Sequence, residues 1–436
     1  MSVFNRDDDD EFGRGAKALI ALPDLGRDNR RDVEARLEEA AGLAEAIGVV
    51  VEDKLHFKIR QPRPATLFGS GQVERIADAV RQNEAELLIV DGAITPIQQK
   101  NLETETKVKV IDRTGLILEI FGERAATAEG RLQVELAHLD YQAGRLVRSW
   151  THLERQRGGF GFLGGPGETQ IEADRRLIRD RMAKLRRELE QVTRTRTLHR
   201  ARRQRAPWPV IALVGYTNAG KSTLFNRLTR ADVVAEDLLF ATLDPTMREI
   251  GLPGLEKAIL SDTVGFISEL PTQLVAAFRA TLEEVISADL IVHVRDISHP
   301  DSDAQRADVE QVLTEIGALR EDGAPVIEAW NKVDLLAPDD RTRVEAEAKR
   351  REDVVTLSAL GGEGVDALLE CAAEHLRKGA SIRTLTLPAG DGESMAWLHA
   401  HGEVVGLVQE GMETRVEVRL SDADWARFQS RQTQPG

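Results

Sequence analysis

Apolar and polar positions alternate with two different periods along the first hundred or so residues. Leucines and alanines recur at helical spacing from Asp32 to Ala46, while short continuous apolar runs are typical of buried strands. Further segments of both kinds follow in turn, extended at residues 48–51, 56–59, 86–90 and 107–111 and helical at residues 72–81 and 96–103. This alternation predicts a small α/β domain with a mostly parallel sheet. We assign it to residues 15–125, after an acidic segment at residues 1–14 that we expect to be disordered.

Two longer helices are predicted behind that domain by apolar stripes at helical spacing. The first runs through residues 131–147 on four leucines. The second begins at residue 175, counts Leu177 among its apolar positions and continues through a strongly basic segment to residue 205. A glycine-rich stretch separates the two, so the pattern predicts a helical hairpin with a glycine-rich tip at residues 126–205.

The remaining chain shows a second alternating region and a short tail. Apolar strand patterns recur at residues 209–214, 257–261, 325–330 and 354–357, which favours a mostly parallel, doubly wound α/β domain at residues 206–378. Beyond it, strands are predicted at residues 383–387, 403–408 and 414–420 with helices at 393–400 and 421–428. We therefore expect a small C-terminal α+β domain at residues 379–436.

A glycine-rich loop follows the first strand of the central domain and has the pattern G-x-x-x-x-G-K-[ST]. Such a loop lets successive backbone N–H groups converge on phosphates at the start of the next helix. We expect Lys221 to supply a cation to the outer phosphates and Ser222 to ligate Mg²⁺. The predicted phosphate-binding residues are Gly215, Tyr216, Thr217, Asn218, Ala219, Gly220, Lys221, Ser222 and Thr223.

A second motif, Asn331-Lys332-Val333-Asp334, closes another apolar strand and bears on which base is bound. The Asp334 carboxylate can accept from both N1–H and the 2-amino group of guanine, whereas adenine has an acceptor at N1 and no group at C2. Alone, Asn331 and Asp334 could be a turn residue and a helix cap, but their position after the phosphate loop favours a guanine site. The backbone loop beside the base is predicted at Ser358, Ala359 and Leu360.

Between these motifs lie the residues expected to respond to the γ-phosphate. Asp262-Thr263-Val264-Gly265 fits a D-x-x-G switch, in which Asp262 holds Mg²⁺ through water and the Gly265 amide contacts the γ-phosphate. Upstream, Thr242 is our choice for the threonine that closes on Mg²⁺, although Thr229 and Thr246 compete on spacing. With Thr242 we include its neighbours Phe240, Ala241, Leu243 and Asp244 in the predicted GTP site, and we expect Lys221, Thr242 and Gly265 to be catalytic.

These five elements resemble those of translation-factor-class GTPases, and several longer segments are similar to the HflX family of ribosome-associated GTPases. The segments are residues 240–246, 262–267, 66–72, 112–117 and 158–170. The resemblance covers roughly residues 15–375 and implies a GTPase that forms GDP and phosphate on the large ribosomal subunit and separates or rescues stalled ribosomes.

The same resemblance implies further ligands. It implies K⁺ beside the phosphates at Asn218, and a second nucleotide site, for ATP, in the N-terminal domain. In that domain, Gly69-Ser-Gly71 lacks a phosphate-loop lysine, so no ATP hydrolysis is predicted.

The distribution of charge along the chain indicates which kind of molecule the protein binds. The net charge is −15, but charges act over about 8 Å at physiological salt, so the basic segment at residues 175–205 can still contact nucleic acid. Arginines there, with Phe160 and Phe162 of the glycine-rich tip, suit phosphate contact and base stacking on ribosomal RNA. A solvated helix face and a plain flexible loop are the simpler interpretations. Alternatively, the chain is a signalling GTPase whose hairpin binds a protein or an anionic membrane surface.

Length and composition limit the number of domains and the cellular compartment that we expect for the protein. Its 436 residues suggest two or three domains, and a single cysteine excludes an internal disulfide framework. No run approaches 18 apolar residues, and the first residues are acidic where a secretion signal would be basic. We expect a soluble cytoplasmic monomer, partly bound to ribosomes and, in the signalling alternative, peripheral at a membrane.

The residue directly after D-x-x-G bears on the rate of GTP hydrolysis. Many GTPases place glutamine directly after D-x-x-G to orient the attacking water, and here Phe266 stands there. A phenylalanine cannot hydrogen-bond water, so we expect slow GTP hydrolysis unless a partner, by the resemblance the large ribosomal subunit, activates it.

Overall fold

The protein is described from a computed structural model. The described residues are 15–26, 31–156, 175–192, 208–230, 239–240, 246–268, 279–320, 323–378 and 380–421, with 425, 428, 429 and 431.

The N-terminal domain is a four-stranded, wholly parallel sheet with helices between its strands. Its elements are β1 (Lys17–Asp24), α1 (Val33–Glu45), β2 (Val50–Lys58), α2 (Ser70–Gln82), β3 (Leu87–Val90), α3 (Pro96–Thr106), β4 (Lys109–Asp112) and α4 (Arg113–Arg124). The strand order is β2-β1-β3-β4, as expected for an α/β alternation. Two predictions were wrong in detail. The extended segments predicted at residues 48–51 and 56–59 overlap the two ends of one strand, β2, and α4 was missed because its nearly continuous apolar run shows no helical period.

The helical hairpin is present in its described part. Helix α5 (Ala128–Gln156) is longer than predicted, and residues 175–192 form α6. The two helices meet through Leu139, Met182 and Leu185. Leu177 was wrongly assigned to the apolar face: it is 67% exposed, because it lies about 100° around the helix from Ile178, which does face α5. The predicted tip at residues 158–167, with Phe160 and Phe162, and the basic residues 193–205 lie outside the described residues.

The central domain has a six-stranded sheet whose carboxyl edge carries the predicted motifs. Its elements are β5 (Val210–Val214), α7 (Lys221–Thr229), β6 (Thr246–Leu252), β7 (Leu255–Asp262), α8 (Arg279–Ile286), β8 (Leu290–Asp296), α9 (Ser302–Glu315), β9 (Val326–Asn331), a 3₁₀ turn (Val333–Leu335), α10 (Pro338–Ala348), β10 (Val354–Thr356) and α11 (Val365–Lys378). The order is β10-β9-β8-β5-β7-β6, parallel except for the β6–β7 pair. The expectation of a mostly parallel sheet is confirmed.

The C-terminal part is a three-stranded antiparallel sheet with one fully described helix. Its elements are β11 (Ala380–Pro388), α12 (Gly392–His401), β12 (Glu403–Glu410) and β13 (Glu413–Ser421), and β13 is the central strand. The predicted helix at residues 421–428 lies mostly outside the described residues.

A shared apolar core joins the N-terminal and central domains. The rings of Phe121 on α4 and Phe240 meet edge to face, 4.6 Å between centroids, and Gly42 of α1 lies against the side chain of Leu239. Residues from both domains belong to one continuous buried cluster. The N-terminal domain is therefore packed directly beside the switch region. Among the helices that the structure describes, none is long and apolar enough to cross a bilayer.

Candidate functional site

The glycine-rich loop connects β5 to α7 and can be formed only with glycine at two positions. Gly215 has φ +150°, and a Cβ there would lie 2.2 Å from the carbonyl oxygen of Val294. Gly220 has φ +92°, and a Cβ there would lie 2.2 Å from Nδ2 of Asn331. Both backbones must approach a neighbour more closely than a side chain allows. The loop is thereby held against β8 and β9 with the N-terminus of α7 at its end.

Lys221 is buried at the centre of this loop. Its Nζ donates to the carbonyl oxygens of Gly215 at 3.0 Å and of Tyr216 at 2.7 Å. Burial lowers the pKa of Lys221 to about 8, with Asp262 opposing that shift. A buried ammonium satisfied mainly by neutral carbonyls favours an anionic ligand, because the ligand restores the charge balance. The structure thus brings the predicted phosphate-binding lysine to an anion site.

The predicted magnesium residues are adjacent. Ser222 Oγ, in the first turn of α7, donates to Asp262 Oδ2 at the end of β7, at 2.8 Å. Mg²⁺ keeps most of its water and needs only one or two protein oxygens beside phosphate oxygens. A serine hydroxyl and a buried carboxylate facing the phosphate loop fit such a site.

The switch segment lies directly on the phosphate loop. The Thr217 amide donates to the Phe266 carbonyl at 2.7 Å, and the Phe266 amide donates to the Gly215 carbonyl at 3.1 Å, which forms a parallel β-bridge. A Cβ on Gly265 would lie 3.1 Å from Lys221 Nζ. Phe266 itself is 2% exposed. Its ring is therefore core and cannot orient a water molecule.

Asn331 links the phosphate loop to the loop predicted to lie beside the base. Its Nδ2 donates to the Ala219 carbonyl at 2.8 Å, and its Oδ1 accepts from the Ala359 amide at 2.8 Å. Asn331 is thus a buried bridge between the phosphate loop and the predicted Ser358–Leu360 loop. Lys332 has a left-handed backbone, φ +67°, and pairs with Asp296 at 2.7 Å.

Asp334 projects from the 3₁₀ turn after β9 and is exposed. The turn is held in place by Val333, which is buried and donates its amide to the Leu357 carbonyl at 3.4 Å. An exposed carboxylate on a fixed backbone, at the carboxyl edge of a parallel sheet, is available to a ligand.

The Ser358–Leu360 loop is held by its own serine and by α7. Ser358 Oγ accepts from the Gly361 amide at 2.9 Å, and Arg227 Nε donates to the Ala359 carbonyl at 2.5 Å. The Leu360 side chain is 77% exposed. Sequence reasoning missed Arg227 and Asp296; the position of Asp296 at the carboxyl end of a parallel strand could have indicated it, whereas no pattern marks Arg227.

Two residues of the predicted nucleotide site turn their side chains to the N-terminal domain. Tyr216 directs its hydroxyl towards Glu39 of the N-terminal domain, and Phe240 packs on Phe121. Asn218 is exposed with φ +57°, a conformation that asparagine tolerates well. Of the other predicted residues, Thr223 lies in the first turn of α7, and Thr263 and Val264 directly follow β7.

The switch threonine stays a prediction, since Ala241, Thr242, Leu243 and Asp244 lie outside the described residues. Of its competitors, Thr229 donates its hydroxyl to the Phe225 carbonyl within α7, at 2.7 Å, and so points into its own helix. Thr246 begins β6 opposite Asp262.

Comparison with protein families matches four successive regions of the chain. Residues 34–122 match the model described as GTP-binding GTPase N-terminal, and residues 124–203 match GTP-binding GTPase Middle Region. Residues 210–332 match 50S ribosome-binding GTPase, and residues 343–434 match HflX C-terminal domain.

Individual relatives extend these matches over most of the chain. The GTPase HflX of Magnetococcus marinus is 51% identical over 90% of this chain and 90% of its own length, and that of Escherichia coli K12 is 42% identical over 96% and 97%. Among solved structures, a GTP-binding protein from Sulfolobus solfataricus in complex with GDP is 25% identical over 83% of this chain and 99% of its own, with a TM-score of 0.43.

Proposed function

Because this chain belongs to the HflX family of GTPases and therefore hydrolyses GTP to GDP and phosphate, we propose that it couples that cycle to the large ribosomal subunit, separating or rescuing stalled ribosomes. The family model over residues 210–332 is described as a 50S ribosome-binding GTPase, which supports this choice of partner. The carrying observation in the structure is the burial of Phe266, because the residue directly after D-x-x-G then cannot orient the attacking water.

Hydrolysis in this site relies on position and charge rather than on covalent chemistry. The amides of the phosphate loop and the N-terminus of α7 receive the phosphates, and Lys221 exchanges its carbonyl contacts for phosphate oxygens. Ser222, and Asp262 through water, would hold Mg²⁺, which would supply positive charge to the phosphate oxygens. The Gly265 amide would then contact the γ-phosphate, and by our prediction Thr242 would close on Mg²⁺ only when that phosphate is present. With Phe266 in the core, the residue directly after D-x-x-G cannot align the attacking water, and we therefore propose that a partner accelerates turnover.

The hairpin is the proposed ribosome-binding element. It is anchored to the N-terminal domain through Asp112, which accepts from the Tyr141 hydroxyl at 2.6 Å and pairs with Arg145 at 2.6 Å. Helix α5 therefore leaves the domain in a fixed direction, and we propose that the predicted glycine-rich tip and the basic residues 193–205 contact RNA. Together with this proposal, we expect the protein to be a cytoplasmic monomer that is partly bound to ribosomes.

Salt dependence tests the proposed RNA contact. Each neutralised phosphate releases counterions, so binding to large subunits should weaken steeply between about 50 and 200 mM salt, by orders of magnitude for several contacts. Four arginines of the basic segment should carry part of that dependence: Arg200, Arg202, Arg203 and Arg205. Changing them together to glutamine should reduce co-sedimentation with large subunits and subunit-stimulated GTP turnover while sparing basal hydrolysis.

A charge-matched variant gives the control. Four exposed basic residues outside the hairpin and the helices that pack on it serve: Arg343, Lys349, Arg350 and Arg415. Changing these to glutamine should leave subunit binding unaltered. If the hairpin variant bound large subunits like wild type across the salt titration, in both nucleotide states, the basic segment would be a solvated helix face and the signalling alternative would be preferred.

Potassium dependence is a separate prediction at Asn218. K⁺ held by this side chain would place positive charge where other GTPases use an arginine, so turnover should be faster in potassium than in sodium. Because Asn218 has a left-handed backbone, Asn218→Gly removes the side chain without backbone strain, whereas Asn218→Ala adds it. Both variants should bring the potassium-to-sodium rate ratio close to one. An unchanged ratio in Asn218→Gly would make Asn218 a turn residue only.

A further inference from the structure

Arg227, in the last turn of α7, holds the Ser358–Leu360 loop against the helix that begins at the phosphate loop. Its Nε donates to the Ala359 carbonyl at 2.5 Å, and its Nη2 donates to the Leu360 carbonyl. An arginine presents its N–H groups in a rigid planar fork. Two successive carbonyls that are bound by the same fork are therefore fixed in direction as well as in place.

Two further contacts fix the same loop. Asn331 Oδ1 accepts from the Ala359 amide at 2.8 Å, so residue 359 is bound through its N–H to the end of β9 and through its C=O to α7. Gly362 lies so close to the arginine that an added Cβ would be 2.6 Å from Arg227 Nη1. The guanidinium therefore packs directly on the loop, while Arg227 itself lies outside the buried apolar clusters of the domain.

The direction of these carbonyls decides the direction of the loop amides. In a trans peptide the C=O of one residue and the N–H of the next point to opposite sides, and the described chain has no cis peptide. Because the Ala359 carbonyl points to Arg227, the Leu360 N–H points away from α7. The neighbouring amides, at residues 358, 359, 361 and 362, donate within the loop or to Asn331. Among the described residues, none accepts from the Leu360 amide, so this donor is available to a ligand.

Guanine has an acceptor that suits this amide. It carries an oxo group at C6, next to the N1–H and the 2-amino group that Asp334 can accept from, whereas adenine carries an amino donor at C6. The turn with Asp334 and the loop with Leu360 follow β9 and β10, which are adjacent parallel strands. A donor from Leu360 and an acceptor from Asp334 would therefore match three neighbouring groups on one edge of guanine.

We propose that Arg227 is a positioning residue for base selection, which directs the Leu360 N–H to the 6-oxo group of guanine by holding the Ala359 and Leu360 carbonyls on α7. Arg227 itself does not touch the nucleotide. Asp334 selects at positions 1 and 2 of the base, and Arg227 selects at position 6 through the backbone. This inference rests on the proposed position of the base beside the Ser358–Leu360 loop.

Two base analogues separate these contacts in equilibrium titrations of the full-length protein. 6-Thio-GDP has sulfur, a weak acceptor, in place of the 6-oxygen and keeps the N1–H and the 2-amino group. IDP keeps the 6-oxo group and the N1–H but lacks the 2-amino group. Wild type should bind both analogues more weakly than GDP, by about 3- to 10-fold for the loss of one net hydrogen bond.

Arg227→Ala should weaken GDP binding and bring the ratio of the Kd values for 6-thio-GDP and GDP close to one, while the ratio for IDP and GDP keeps its wild-type value. A residue that only supported the fold would weaken all three nucleotides equally and leave both ratios unchanged. Arg227→Lys replaces the fork with a point donor, so its 6-thio-GDP ratio should lie between those of wild type and Arg227→Ala. This variant also serves in the event that Arg227→Ala folds poorly.

Arg343→Ala is the matched control, because it removes an exposed arginine of α10 that pairs with Asp340, and it should leave all three Kd values unaltered. The outcomes separate this role from the proposed function. If wild type bound none of the three nucleotides, the nucleotide site would be wrong. If wild type selected GDP over IDP, but either did not discriminate against 6-thio-GDP or kept that discrimination in the Arg227 variants, Arg227 would not direct a contact to the base, and the guanine site would stand.

Discussion

Replacing Asp334 with asparagine is expected to turn a guanine-specific site into one that prefers xanthine nucleotides. The carboxylate accepts from guanine N1–H and its 2-amino group, and an amide at the same place can donate to the oxo group that xanthine carries at C2. Mismatched polar contacts of this kind can discriminate by about 10⁴–10⁵. The side chain is exposed on a fixed turn, so its exchange should leave the fold intact.

A competition assay measures the effect, with GTP and XTP as both ligands and substrates. Asp339→Asn is the matched control, because it makes the same chemical change at an exposed position five residues further along the chain. Wild type and the control should select GTP, and Asp334→Asn should select XTP. If Asp334→Asn still selected GTP, the base would be bound elsewhere.

Replacing Lys221 with alanine is expected to remove most of the GTPase activity. The loop amides remain, but the only buried ammonium that the described residues place in this loop is lost, and with it a charge that acts in a water-poor site. Loss of one such preorganised group typically costs on the order of 10²–10³ in turnover. Steady-state hydrolysis of GTP and fluorescence titration with GDP would measure turnover and affinity separately.

The surface variant Lys349→Ala controls for loss of positive charge from the same domain. It should keep both GTP turnover and GDP affinity at wild-type values. Retention of both by Lys221→Ala would show that the phosphates bind at another place.

The sequence by itself determined the fold class and the residues of the phosphate loop, the D-x-x-G segment and the Asn331–Asp334 motif. This was possible because these signals are local. The spacing of the loop glycines and the short apolar strands before each motif are properties of a few consecutive residues. The sequence also predicted that the three motifs lie close together in space, because the carboxyl ends of parallel strands meet at one edge of a sheet.

Only the tertiary structure decided what the side chains around these motifs do. Asn331 is a bridge between two loops, Arg227 donates to the Ser358–Leu360 loop, and the Tyr216 hydroxyl donates to Glu39 of the N-terminal domain. Helix α4 was missed because its sequence is apolar on nearly every side. The structure explains this composition, because the N-terminal and central domains together bury the helix. The Ser268 hydroxyl donates to Glu39 of the N-terminal domain, and the two residues are 229 positions apart in the sequence. No pattern in a single sequence indicates such a pair, because a buried ionic contact depends on which surfaces meet, and that is decided by the packing of whole domains.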